Sequence, residues 1–285
     1  MSRAASIALG LILCGAWFVP ARPAPSLVVK SDDVVSGHPG LTYLDLVREL
    51  APDLALNRSD GQIEGHSKTL PRHLGGGSDD DAPDPLVLGF MQARRVRVAG
   101  RPRIALIADL GQPPDQVATA TVLLLFDDAP RPRLLDAAQV SSAEDTEFDN
   151  ALLRLSPGDD AVVVYNEHSD ADLSLGSYTI VSLTGDRLGM IDRFPVSSER
   201  ACGWSDIETT TFTTAPDPGR PYRRIDVAVS ADFKRAPDDC GSSPIPKGRS
   251  GVYRAAFRWR PAHRRFEAIF DGLKRLEAVD RAIFQ

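Results

Sequence analysis

Beyond Leu86 the chain is written in short apolar runs separated by clusters of turn residues. The clearest run is Ile225 to Phe233. Ile225, Val227, Val229, Ala231 and Phe233 take one set of alternate positions; Asp226, Ser230 and Asp232 take the other. Successive side chains of a strand point to opposite faces, so this pattern predicts a strand with one face on a core and one in water. The same reading gives six hairpins. They turn at Gly100-Arg101-Pro102, Asp128 to Pro132, Pro157-Gly158, Gly185-Asp186, the stretch "APDPGRP" from Ala215 to Pro221, and Pro261-Ala262-His263. The gaps are too short for helical crossovers, so neighbouring strands should pair antiparallel.

Grouped in twos, the hairpins make three four-strand units, near 86–140, 150–196 and 207–270. A partial propeller and a curved continuous meander both fit. Propellers typically need four blades or more, which favours the meander. The expected fold is therefore mainly β, an antiparallel meander of hairpins with one helix near each end. In the first helix Thr42 and Asp45 form a capping box, Tyr43, Leu46, Val47 and Leu50 share a face, and Pro52 stops it. In the second, Asp271 caps a stripe of Leu273, Leu276, Val279 and Ile283, expected to cover an open sheet face or edge. Residues 56–85 lack an apolar period and end in "GGGSDDDAPDP", which reads as a flexible polar loop.

The first residues change the picture of where the chain goes. Arg3 precedes an uncharged apolar run, Ala4 to Val19, and Val19-Pro20-Ala21 offers small or aliphatic residues at the positions a signal peptidase inspects. The run is shorter than the ~20 apolar residues of a bilayer span. Leu13 before Cys14 argues against lipid attachment. The expected organisation is a leader over 1–21, a helix and polar segment over 22–85, and a β-rich domain over 86–285. The mature chain would be periplasmic or secreted and without a transmembrane span. Cleavage leaves Cys202 and Cys240, an even pair in an oxidising compartment, and these are expected to bond. A loop of that length contributes roughly 4 kcal/mol in the chain-entropy view.

The formal charge is −6, and about −7 once Arg3 is lost with the leader. That balance excludes a general nucleic-acid binder, whose affinity rests on clustered Lys and Arg. The excess of arginine over lysine suggests a bacterial source.

Candidate chemistry is sparse. There is no HExxH, Walker loop, GxSxG elbow or dinucleotide fingerprint, so no catalytic residue is assigned. The stretch "YNEHSDADLSLG", 165–176, packs Glu167, His168, Asp170 and Asp172 together after the apolar run Ala161 to Val164. Read as the connection between strands at 162–166 and 177–183, it is a solvated turn. Its oxygen donors Asp170, Asp172 and Ser174 alternate as in a calcium loop. An EF-hand would need Gly where Leu175 stands, with Gly176 one place late, and an acid where Val181 stands. Of His38, His66, His73, His168 and His263, none has a motif around it. The strand "YRAAFRWR" puts Tyr253, Ala255, Phe257 and Trp259 on one face and Arg254, Arg258 and Arg260 on the other. Arginine forks fit carboxylates and phosphates, so this face is a candidate for an anion or an acidic partner, against ordinary pairing with Glu267 or Asp232. The resulting expectation is an exported, non-catalytic protein that binds an envelope protein or a small ligand. A periplasmic hydrolase assembled only in the fold is the alternative.

Overall fold

The computed structural model describes residues 25–67, 70–75, 82–113, 119–141, 144–170, 173–201, 203–235 and 250–284. The expected leader, 1–21, and the expected Cys202–Cys240 bond lie outside these residues. In chain order the early elements are β1 (Leu27–Val28), α1 (Tyr43–Val47), β2 (Ala55–Leu56), β3 (Ile63–Gly65) and β4 (Leu86–Val87). Next come β5 (Met91–Val98), β6 (Arg101–Asp109), β7 (Thr121–Asp127) and β8 (Leu134–Gln139). The second half holds β9 (Asp145–Arg154), β10 (Asp160–Asp170), β11 (Leu173–Ser182), β12 (Gly189–Ala201), β13 (Trp204–Ala215), β14 (Arg224–Arg235), β15 (Gly251–Arg260), β16 (Arg265–Asp271) and α2 (Leu273–Phe284).

The fold is mainly β and antiparallel, with a helix near each end. All six expected hairpins form. The first turns at Ala99-Gly100, between the pair Val98 and Arg101, with φ of +49° and +74°, as a primed two-residue turn requires. The three expected units resolve differently: the first is a sheet of its own, and the other two merge. Strands β5 to β8 form one sheet with β1 added at its edge, and β9 to β16 form a single eight-stranded meander. The propeller alternative falls away. A third, small sheet joins β2, β3 and β4, with β3 inside the segment read as a polar loop and β2 and β4 at its two ends. That segment is further tied down by Arg72, whose guanidinium donates to both oxygens of Asp136 at 2.9 and 3.0 Å and to the Leu188 carbonyl at 2.9 Å. Its order comes from these long-range contacts, which leave no mark on local periodicity.

Three apolar clusters set the layers. The first packs Tyr43, Leu46 and Val47 of α1, with Leu54, onto Leu106, Leu124 and Phe126 of the first sheet. The capping box holds α1 in place, Asp45 accepting from the Thr42 N–H at 2.9 Å. The second cluster joins the two sheets, with Ile107, Leu123 and Leu125 meeting Val162, Val164 and Val181. Buried Arg94 crosses this interface, donating to the Ala151 carbonyl at 3.0 Å with its guanidinium over the Phe148 ring. The third cluster lies on the other face of the eight-stranded sheet. That sheet curls on itself: β9 approaches β13 and β12 approaches β16, although neither pair is hydrogen-bonded. Ile180, Phe194, Val227, Ala255 and Phe257 fill the concave side, and Leu273 and Leu276 of α2 pack against it. Asp271 accepts from the Leu273 N–H at 3.2 Å, the cap expected from the sequence. Trp204 stacks on Phe233 at 5.7 Å, a packing role. Among the described residues no helix is long and apolar enough to cross a membrane.

Candidate functional site

Where the curled sheet brings β9 back near β13, two turns form the walls of a cleft of about 430 Å³. One wall is the turn after β9. Ser156 donates to Asp159 at 2.8 Å, and the Gly158 carbonyl accepts from the Gly100 N–H at 2.9 Å. A Cβ on Gly158 would lie 2.8 Å from the Gly100 nitrogen, so only glycine lets these two turns touch. The other wall is the Pro-rich loop between β13 and β14. Its Arg223 N–H donates to the Leu155 carbonyl at 2.7 Å and locks the two walls together.

The lining is basic. Arg154, Arg220 and Arg223 enter it, and among the described residues Asp217 is its one acid. That acid is already engaged, accepting from Arg258 Nε at 2.7 Å. Arg154 keeps one contact, its Nε 2.6 Å from buried Asp160. Arg223 gives an N–H to the Thr214 carbonyl at 3.1 Å, while its Nε is buried and has no partner. Arg220 is exposed. Tyr222 packs edge-on against Trp259 at 4.7 Å, and burial pushes its hydroxyl pKa up, so the hydroxyl stays a neutral donor. Guanidinium groups held in a pocket whose only carboxylate is neutralised favour an incoming carboxylate or phosphate.

The candidate arginines of β15 separate from one another. Arg258 serves this cleft indirectly by holding Asp217. Arg260 lies 3.8 Å from Glu267, which also takes His263 at 2.6 Å and Arg265 at 3.0 Å. Arg254 is exposed and lines a different groove with Arg275 and Phe270. The residues that build the cleft, Arg154, Arg220 and Arg223, were not singled out from the sequence. The signal available was the density of arginine in "DPGRPYRR", inside a stretch read only as a turn.

The Glu-His-Asp stretch is not a connection. Strand β10 runs through Asp170 and β11 starts at Leu173, with Glu167 opposite Gly176 and His168 opposite Leu175. Glu167 and His168 therefore point to opposite faces, as strand geometry requires. Glu167 faces a second, smaller cleft of about 240 Å³ with Asp109, Glu144, Asp145, Glu147, Thr119, Thr121 and Thr146. Burial, then the neighbouring Glu167, pushes the Glu147 pKa up; burial does the same for Asp109. His168 Nδ1 lies 3.1 Å from Glu144. Of the calcium candidates, Ser174 donates its hydroxyl to Glu167, while the Asp170 side chain and Asp172 lie outside the described residues. Among the described residues no group of three or more His, Cys, Asp and Glu has the geometry to hold a metal. Gly176 has a packing reason. A Cβ there would sit 2.5 Å from the Tyr165 hydroxyl, because the Tyr165 ring lies across the glycine.

Other histidines pair away from both clefts. His38 is buried against Asp128 at 2.7 Å, and His66 is exposed beside Asp84 at 3.0 Å. His73 meets the Ser141 carbonyl at 3.1 Å. Comparison with protein-family models, with curated proteins and with solved structures returned no match to this chain.

Proposed function

We propose that the chain is an exported, non-catalytic binding protein whose arginine cleft takes a carboxylate- or phosphate-bearing ligand or partner segment. The observation that carries this reading is the charge pattern of the cleft. Arg154, Arg220 and Arg223 line it, Arg258 neutralises its one acid, and Arg223 Nε is buried without a partner. The leader-like residues 1–21 support export.

Calorimetric titration of the mature protein with citrate and with inorganic phosphate tests the proposal. Saturable binding of one of them is expected, weakened at least about tenfold in R220Q/R223Q, since a charge-assisted hydrogen bond contributes about 1.5–3 kcal/mol. R254Q should bind as the wild type does. No saturable binding of either anion, or equal binding by R220Q/R223Q, would refute it.

A further inference from the structure

The acid inside the arginine cleft is a rival to its ligand. Asp217 belongs to the lining, with only 7% of its side chain exposed. It opens the turn Asp217-Pro218-Gly219-Arg220, closed by the Arg220 N–H donating to the Asp217 carbonyl at 3.1 Å, with Gly219 at a φ of +77°. One tight turn therefore carries the acid at its first position and a lining arginine at its fourth. A carboxylate so little exposed is costly to leave unpaired and bonds strongly to guanidinium. Without another partner, Asp217 would draw on the lining arginines and compete with an incoming anion for them.

Arg258 of β15, outside the described lining, supplies that other partner. Its Nε donates to Asp217 at 2.7 Å, across 41 positions of sequence. In the sheet Arg258 stands directly opposite Glu267 of β16, the acid that cross-strand pairing would give it. Glu267 is already taken, by His263 at 2.6 Å and Arg265 at 3.0 Å, with Arg260 at 3.8 Å. Arg258 is thereby left to reach the loop and hold Asp217.

We propose that Arg258 is a positioning residue of the arginine cleft: by occupying Asp217 it leaves the lining arginines to an external anion, and so sets the cleft's selectivity for negative charge. The role rests on the anion-binding reading of the cleft, and it makes a prediction that simple bracing of the loop does not. Affinity should follow the summed charge of residues 217 and 258. That sum is zero in the wild type and in D217N/R258Q, −1 in R258Q and +1 in D217N.

Calorimetric titration of the mature wild type and these three variants with citrate and with inorganic phosphate is the test. R258Q, which unmasks the carboxylate, should bind at least about tenfold more weakly than the wild type. D217N/R258Q should return to within about threefold of the wild type, and D217N should bind more tightly than it. Bracing would instead leave all three variants weak. Wild-type affinity in R258Q, or a double variant as weak as R258Q, overturns the role of Arg258. If R258Q does not fold, D217N decides: affinity equal to or below that of the wild type overturns the role. A wild type that binds neither anion refutes the cleft reading itself, and the role falls with it.

Discussion

Strands β7 and β14 are both central and antiparallel, yet they are written differently. Strand β7, "TVLLLFD", is buried at six consecutive positions; β14, "RIDVAVSADFKR", buries alternate ones. The difference is one of layers. The first sheet lies between the α1 layer on one face and the eight-stranded sheet on the other, so Leu124 and its neighbour Leu123 enter separate cores. The eight-stranded sheet covers its concave face through its own curl and α2, and much of β14's other face meets water. An unbroken apolar run thus marks a strand enclosed on both sides even where pairing is antiparallel, and alternation marks the half-exposed one.

Deleting side chains tests this contrast most strongly. Leu124→Ala, at a fully buried position between covered strands, should cost about 3–4 kcal/mol by urea denaturation. Ser230→Ala, on the exposed face of β14, should cost less than about 0.5 kcal/mol. Equal losses would mean that the layers do not differ in this way.

Two sets of carboxyl groups are also held oppositely. Around the first sheet, burial pushes Asp128 and Asp136 up, but their partners outweigh it. Arg95 and His38 hold Asp128 below the usual carboxylate range, and Arg72 with the Leu188 N–H does the same for Asp136. On the concave face of the second sheet, burial raises Asp192 to about 6, with Glu208 and Asp280 higher still. Depressed groups contribute stability that is lost as pH falls through their folded values. Raised groups contribute stability present in acid and lost as pH rises through about 6 to 8. Stability should therefore peak in mild acid and fall by ~2–3 kcal/mol between about pH 5.5 and about pH 8.5, after allowance for solvent screening. Denaturation midpoints across that range check it; a flat or rising profile contradicts it.

The smallest effect separates packing from ligand chemistry in the β10–β11 hairpin. Gly176→Ala should cost about 1–2 kcal/mol by forcing the Tyr165 ring aside, and Tyr165→Leu in the same chain should recover most of it. A cost unchanged by the second substitution would remove the ring as its cause.

The hairpins were legible because their turns carry Gly, Pro and Asp between periodic runs, as at Pro157-Gly158 and Gly185-Asp186. Two further reversals were less so: the one after β10 was read with strands too short on either side, and the one after β12 was not read. Glu167, His168 and Ser169 are strand residues at the end of β10, where the inner face borders a polar cleft, so they imitate a loop. Between β12 and β13, Ala201 pairs directly with Trp204, and Gly203 alone announces the turn, with φ of +86°. The arginine cleft was hidden for another reason. Arg154 ends one strand and Arg220 and Arg223 sit in a distant loop, and only the curl of the sheet brings them together. A pattern confined to neighbours in sequence carries no trace of that curl.

From β5 to β8, and again from β9 to β16, every strand is hydrogen-bonded to the one made just before it. A polypeptide delivered N-terminus first would never wait for a distant segment to complete the growing sheet; each new strand finds its template already laid. Such short-range wiring should make assembly quick for an all-β architecture, and it leaves α2 to dock last, on a surface already finished.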